Sequence, residues 1–459
     1  MVREVNENRE TFRRDRLCTL CRRQWRPWLV GIAVFVLLVG TSRMLPMAWD
    51  EGNAIGRASA VETWFRSTVS GVPLSKMLSR ETVRKHWPYT IQREGHPAFY
   101  GLVIAVGHLA APSSLDPLTR WRWGPMLLFA IAIGCAFRKM EERFGARAAW
   151  AATAAVVLFP RMFAHAHFAS FDGPLTACWL LAWCAFPHRS AEWAKWIAWG
   201  AFLGLVMSCK ATGWAAPVAF AIAVLPYDRK LWWRFLVGVA TAIVVFVVVN
   251  PPIWFSPVEG IARFLWMNSH RKALGGLNIS TMFFGRLYNL DYPLPWYNGL
   301  VWTAIAMPVG TLLCFAWAVG RWGRSVACRL WGWARARSGS DNEKTFAAQD
   351  EMIAVLVVNW AILVAVRAIP GVPPHDGIRL FLPSFMFAAL LAGVGFEAIW
   401  SRAEQFRHRR VVRFGVTVML AGGLVSMIAY EPAWLSHYSL LIGGLPGATI
   451  CGMEPTYYW

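Results

Sequence analysis

Long apolar runs separated by short polar segments dominate this chain of 459 residues. Eleven such runs follow one another at 28–46, 121–137, 148–164, 173–187, 194–209, 213–226, 233–250, 297–319, 351–368, 379–400 and 414–430. A helix of roughly 20 apolar residues is long enough to cross the hydrocarbon core of a bilayer. The pattern predicts an all-α, polytopic integral membrane protein with about 11 transmembrane helices and further interfacial helices in the first outer loop.

The basic residues indicate how these spans are oriented. They precede the first run and recur in blocks at 138–147, 189–195, 228–234, 321–337 and 402–413. If every block faces the cytoplasm, the spans fall in pairs between them. The segments are then a basic cytoplasmic N-terminus 1–27, a transmembrane domain 28–430 with outer loops 47–120, 165–172 and 251–296, and a short outer segment 431–459. A further apolar run at 97–111 breaks this pairing, so we interpret it as an interfacial or re-entrant helix.

Composition excludes two other classes of protein. The net charge of +20 is typical of nucleic-acid binders, but the basic residues here are spread between apolar runs that make the chain 56% hydrophobic. We therefore expect no nucleic-acid partner. The cysteines form no disulfide framework, because most lie inside the spans and Cys18 and Cys21 are a single CxxC without a second pair.

Two adjacent carboxylates, Asp50 and Glu51, stand where the first apolar run meets the outer loop. Ionisable groups at a membrane boundary often have a function. Acidic residues also suit the first turn of a helix, so capping is the alternative. The same alternative applies to Asp172, which precedes Gly173 and Pro174, and to the His96-Pro97 pair.

Other polar residues of the outer side have two interpretations as well. Lys210 either extends to the surface at a helix end or binds a phosphate. Arg379 either pairs with the neighbouring Asp376 or binds a lipid phosphate. The histidines His165 and His167 either pack among aromatic rings or join Asp172 in binding a divalent metal.

These residues occur in an order that resembles a known family. Asp50-Glu51 after the first span is similar to the acidic pair of the C-type membrane glycosyltransferases of the protein mannosyltransferase and aminoarabinose transferase-like group. The other similar stretches are His96-Pro97-Ala98-Phe99-Tyr100, Phe171–Thr176, Gly204–Lys210, Leu294–Tyr297, Arg379–Pro383, Leu435–Tyr438 and Gly443-Gly444. Ala98 stands where many relatives have a second proline. The resemblance covers nearly the whole chain.

The resemblance implies an inverting transferase that moves a sugar from a polyprenyl-phosphate donor to a protein, lipid or glycan acceptor at the outer membrane face. Asp50 is then the general base, helped by Glu51, and Asp172 orients the acceptor or holds a metal. The expected phosphate-binding residues are Lys210, Arg271 and Arg379. The expected positioning residues are His96, His165, His167 and His270. A divalent metal at Asp172, His165 and His167 is the one cofactor considered.

The main alternative is a transporter or flippase of lipid-linked sugars that performs no transfer chemistry. The chain has no evident repeated half, and its ionisable residues gather at one face rather than at mid-membrane, which disfavours that class. A third interpretation is an inactive subunit that only binds the lipid carrier. Since no long soluble domain follows the spans, we expect a bacterial inner membrane.

Overall fold

The computed structural model of the protein describes residues 25–87, 96–224, 231–270, 278–333 and 341–457. Helices make up 76% of this part of the chain. The basic N-terminal segment before residue 25, with Cys18 and Cys21, lies outside the described residues.

The first half of the chain forms a first apolar helix, then the helices between residues 49 and 110, and then a bundle. The helices are α1 Arg26–Thr41, α2 Trp49–Val69, α3 Leu74–Met77, α4 Arg80–His86, α5 Phe99–Ala110, α6 Pro117–Phe144, α7 Ala146–Val157, α8 Pro160–His167, α9 Asp172–Ala185, α10 Trp193–Met207, α11 Ala215–Val224 and α12 Trp232–Val248. Short 3₁₀ turns at Ser42–Met44 and Ala211–Trp214 connect neighbouring helices.

The second half adds a β-hairpin and the remaining helices. Its elements are α13 Pro257–Ser269, β1 Thr281–Phe283, β2 Arg286–Tyr288, α14 Asn298–Ala306, α15 Val309–Trp333, α16 Asp341–Arg367, α17 Leu382–Arg402, α18 Arg409–Ala429 and α19 Gly444–Ile450. The two strands are antiparallel, with Met282 opposite Leu287. Further 3₁₀ turns lie at Pro251–Ile253, Arg379–Phe381, Ala403–Gln405, Trp434–Ser436 and Leu440–Ile442.

Each predicted span coincides with helix over most of its described residues, and the prediction of an all-α polytopic membrane protein is confirmed. Four helical segments are long and apolar enough to cross a bilayer alone: Arg26–Met44, Pro117–Phe144, Arg379–Gln405 and Arg409–Ala429. Five shorter apolar helical segments accompany them within the described residues.

Two spans expected to be continuous are broken. The run 148–164 divides into α7 and α8 before Pro160, and the run 297–319 divides into α14 and α15 at Met307-Pro308. Proline lacks the N–H that a helix interior needs and disfavours helical backbone at the residue before it, so both breaks have the same cause.

The run 97–111 forms the 12-residue helix α5. At 1.5 Å per residue it extends about 18 Å, which is too short to cross a core of about 30 Å by itself. It packs closely on α6, because a Cβ at Gly107 would lie 2.3 Å from the Gly124 Cα. Small residues at a helix crossing allow this approach.

Helix α9 lies at the centre of the bundle, and its residues Asp172–Trp183 are buried throughout. Its C-terminal carbonyls are satisfied by the buried Lys139, whose Nζ donates to Trp183, Cys184 and Phe186 oxygens. A cation suits this end of a helix. The opposite end of α9 carries Asp172, so a rigid central helix positions that carboxylate.

Candidate functional site

Arg379 joins three carboxylates that are far apart in sequence. It lies buried in the 3₁₀ turn immediately before α17. Its Nε donates to Asp172 Oδ2 at 2.6 Å, its Nη1 donates to Asp376 Oδ2 at 2.6 Å, and its Nη2 donates to Asp50 Oδ2. Each nitrogen of one guanidinium group therefore bonds a different aspartate.

Lys210 is the second cation of the site. Its Nζ donates to Asp172 Oδ1 at 2.7 Å, so each oxygen of Asp172 accepts from a different cation. Asp172 is the first residue of α9, and Phe171 rather than Asp172 takes the N-cap position. A buried carboxylate is stable when such partners compensate its lost hydration. The ion pairs with Lys210 and Arg379, rather than helix capping, therefore explain why an aspartate is buried at this position.

We call Asp50, Asp172, Lys210, Asp376 and Arg379 the charged cluster. It contains three carboxylates and two cations. The side chain of Asp172 is 1% exposed, whereas those of Asp50 and Asp376 are 26% and 18% exposed. Burial raises the pKa of Asp376, and the adjacent Arg379 and Lys210 oppose that rise. The cluster therefore opens to solvent on the side of Asp50 and Asp376.

The ring of Phe171 supports the cations of the cluster. The Arg379 Cζ lies 5.0 Å from its centroid and the Lys210 Nζ lies 4.5 Å from it. His96 stacks on the same ring, with centroids 5.0 Å apart and an interplanar angle of 16°. Cation–π contact favours this arrangement. One aromatic side chain thus fixes the relative positions of Lys210, Arg379 and His96.

A buried amide holds the segment that carries His96. The Ala98 N–H donates to Asn250 Oδ1 at 2.6 Å, and the Asn250 amide donates to Ser208 Oγ at 3.2 Å. The Phe99 N–H donates to the Ser208 carbonyl at 3.2 Å. Because Ser208 is two residues before Lys210, these bonds place the His96-Pro97 segment beside that cation.

The side chain of Glu51 has different ion-pair partners from that of its neighbour Asp50. It is fully buried and receives two parallel bonds from Arg122, Nε to Oε1 at 2.8 Å and Nη2 to Oε2 at 2.7 Å. The N–H groups of Ala48 and Ala169 also donate to it, at 2.9 and 2.8 Å. The bond from Ala48 caps α2. Glu51 therefore ties the start of α2 to α6 and to the turn before Asp172.

The predicted histidines fall into separate surroundings. His165 is buried under α9, where a Cβ on Gly173 would come within 2.9 Å of its carbonyl oxygen. His167 Nε2 lies 2.9 Å from Thr41 Oγ1, and its Nδ1 lies 2.7 Å from the Phe163 carbonyl. His270 is exposed at the end of α13 and contacts that helix. Arg271 lies outside the described residues.

The metal site considered from the sequence would need Asp172, His165 and His167 as ligands. Both Asp172 oxygens accept from cations, and both ring nitrogens of His167 have partners elsewhere. Among the residues that the structure describes, no group of three or more His, Cys, Asp or Glu is arranged to hold a metal. The metal requirement stays a prediction.

Sequence reasoning missed the supporting residues of this site. Arg122 begins a long apolar helix, where a buried arginine is costly and therefore signals a partner. Asn250 follows α12 and precedes two prolines, but nothing in that pattern predicts its bond to Ala98. Phe171 was included only as one residue of the Phe171–Thr176 stretch, with no role assigned to its ring. Asp376 was considered as a structural partner of Arg379, and that ion pair is present.

Comparison with protein families bears on the central part of the site. Residues 96–255 match the family model described as dolichyl-phosphate-mannose-protein mannosyltransferase. The predicted family resemblance is confirmed. The matched segment contains His96, Phe171, Asp172, Lys210 and Asn250.

Solved structures give a more distant likeness. Two crystal structures of ArnT from Cupriavidus metallidurans, one bound to undecaprenyl phosphate and one in the apo state, align with 92% of this chain and 74% of theirs. Sequence identity is 18% in both, and the TM-scores are 0.47 and 0.49. No curated protein matches the chain. The family match does not cover Asp50, Asp376 or Arg379. These residues are assigned to the site by their side-chain contacts alone.

Proposed function

We propose that this protein is an inverting membrane glycosyltransferase that moves a sugar from a polyprenyl-phosphate donor to a protein, lipid or glycan acceptor. The observation that carries the proposal is the charged cluster, in which the partly exposed carboxylate Asp50 pairs with the buried Arg379, and Asp172 joins that arginine to the buried Lys210. The family match over residues 96–255 supports the same reaction class. We place the reaction at the outer face of a bacterial inner membrane, with a cytoplasmic N-terminus.

Asp50 is the proposed general base. It is the most exposed carboxylate of the charged cluster and therefore the most accessible to an acceptor hydroxyl. In the proposed step it takes the hydroxyl proton while the acceptor oxygen attacks the anomeric carbon from the face opposite the phosphate. The bond from Arg379 Nη2 to Oδ2 orients the Asp50 carboxylate.

Arg379 and Lys210 are the proposed cations for the leaving group. As the bond between the anomeric carbon and the phosphate oxygen breaks, negative charge accumulates on the phosphate, and fixed cations stabilise it. A polyprenyl phosphate leaves without protonation, so a single base is sufficient, unlike the two carboxylates of glycoside hydrolysis. Asp172 keeps both cations in place through its two oxygens.

The test is transfer by purified protein in lipid nanodiscs, given a labelled polyprenyl-phosphate sugar and a membrane acceptor fraction. We expect release of free polyprenyl phosphate, and mass spectrometry of the glycosylated product identifies sugar and acceptor. Asp50→Asn should abolish release while donor binding persists. Glu142→Gln removes a carboxylate that is 56% exposed and should leave transfer unchanged.

Two results would overturn the proposal. Full transfer by Asp50→Asn would remove Asp50 from the role of base. Movement of the lipid-linked sugar across the membrane without transfer would instead establish the flippase alternative.

A further inference from the structure

Arg379 has one carboxylate partner that a phosphate is well suited to replace. We infer that Asp376 occupies the position on Arg379 that the donor phosphate takes during the reaction, and that the two exchange in each cycle. This inference rests on the proposed function, since it concerns the same site.

The charges of the cluster require such an exchange. All three nitrogens of Arg379 bond carboxylates, and Lys210 bonds Asp172. A phosphate that approached this arrangement would meet three carboxylates and two cations that already have anionic partners. Like charges at close range repel strongly where water is sparse. One carboxylate must therefore leave Arg379 when a phosphate binds.

Burial excludes Asp172 as the carboxylate that leaves, and its proposed role excludes Asp50. Asp172 is 1% exposed and holds both cations, so its departure would strand Lys210 and Arg379 together. Asp50 extends from the first turn of α2 and is the proposed base, which the reaction needs in place. Asp376 is 18% exposed and lies in the irregular segment before the Arg379 turn. Release of Asp376 from Arg379 therefore disturbs the remaining ion pairs of the charged cluster least.

The backbone around Asp376 permits this release. Asp376 has φ 63° and Gly377 has φ 53°, so two successive left-handed residues form the bend before Arg379. The Arg379 N–H donates to the Asp376 carbonyl at 3.1 Å. That bond holds the main chain in place, and rotation of the Asp376 side chain alone vacates the guanidinium group. Its return after transfer would compete with the product phosphate and speed product release.

The experiment measures binding of undecaprenyl phosphate to purified protein in nanodiscs, using inorganic phosphate as a second probe. Asp376→Asn should lower the Kd for undecaprenyl phosphate by about tenfold, since a competing charge-assisted bond is removed. It should also lower the donor KM, lower kcat and strengthen inhibition by undecaprenyl phosphate. Asp376→Gly removes the carboxylate at a positive φ that glycine tolerates, so it carries the same test if the asparagine variant is unstable. Glu142→Gln is the charge-matched control.

The outcomes separate this inference from the proposed function. If the wild-type protein neither binds undecaprenyl phosphate nor transfers sugar, the proposed function fails. If the wild-type protein does both, but the two Asp376 variants bind the lipid no more tightly, the exchange is wrong. If the Asp376 variants bind inorganic phosphate more tightly by the same factor as undecaprenyl phosphate, the gain in affinity comes from the phosphate group rather than from the lipid chain.

Discussion

Glu51→Gln tests whether the second acid of the Asp50-Glu51 pair serves structure or chemistry. The substitution keeps the shape of the side chain but removes its charge and turns one acceptor oxygen into an amide donor. Arg122 is fully buried, and its Nε and Nη2 both donate to this carboxylate. The Ala48 and Ala169 N–H groups donate to it as well. Arg122 would therefore keep a buried charge without a counterion.

The size of the effect follows from these four bonds. A hydrogen bond to a charged group contributes about 1.5–3 kcal/mol, but such contributions do not add within one network. Removing one partner of a buried ion pair costs about 3–5 kcal/mol in total. We expect a loss of this size, because the remaining Arg122 bonds to the carbonyls of Ser42, Leu45 and Pro46 supply no negative charge.

The assay is thermal unfolding of detergent-purified protein, followed by intrinsic fluorescence and by size-exclusion chromatography after heating. Glu51→Gln should lower the midpoint by several degrees. The exposed pair Arg138–Glu142 gives the control, because Glu142→Gln removes a surface ion pair worth less than about 1 kcal/mol. A Glu51→Gln protein with unchanged thermal stability and a large loss of kcat would refute the structural role and restore a chemical one.

Three further substitutions test other parts of the structure. Asp116 caps α6 and pairs with Arg43, and these contacts lower the pKa of its carboxyl group to about 2. Its contribution to the stability of the fold is fully present above the ordinary carboxyl pKa near 4 and is lost as the pH falls through about 2. Asp116→Ala should therefore cost about 1 kcal/mol in melts at neutral pH, and Asp116→Asn less, since asparagine caps well. Asn250→Leu leaves the buried Ala98 N–H unbonded, so we expect about 1–3 kcal/mol lower stability and a raised donor KM in transfer assays. Gly107→Val should prevent α5 from packing on Gly124 and abolish folded protein in size-exclusion chromatography, whereas Gly40→Ala meets no atom within 4 Å and should not.

The helices could be predicted from the sequence because a long apolar segment in a bilayer must satisfy its backbone hydrogen bonds internally, as a helix does. The run 379–400 predicted α17, and its start at Arg379 was placed to within a few residues. The breaks at Pro160 and Pro308 were missed, although both prolines are visible in the chain. Hydropathy averages over a window and does not register the loss of single backbone hydrogen bonds.

The candidate site was only partly readable for a different reason. Asp50, Asp172, Lys210 and Arg379 stood out through order and position, and the structure brings their side chains together. The partners that hold them did not stand out, because Glu51 meets Arg122 across 71 residues of sequence and Asn250 meets Ala98 across 152. Such pairs depend on tertiary packing. The left-handed backbone at Asp376 is likewise fixed by its surroundings.

The ion pairs of Asp172 also set an order in which the site is completed as the chain is synthesised. Asp172 and Lys210 are 38 residues apart, so both partners are present once the chain has been synthesised through α10 and Lys210. Arg379 lies 207 residues after Asp172 and 329 after Asp50. During that interval Lys210 alone neutralises the buried Asp172. A ribosome-bound chain that ends before Arg379 therefore holds both partners of the Asp172–Lys210 ion pair but lacks the arginine that joins Asp50, Asp172 and Asp376.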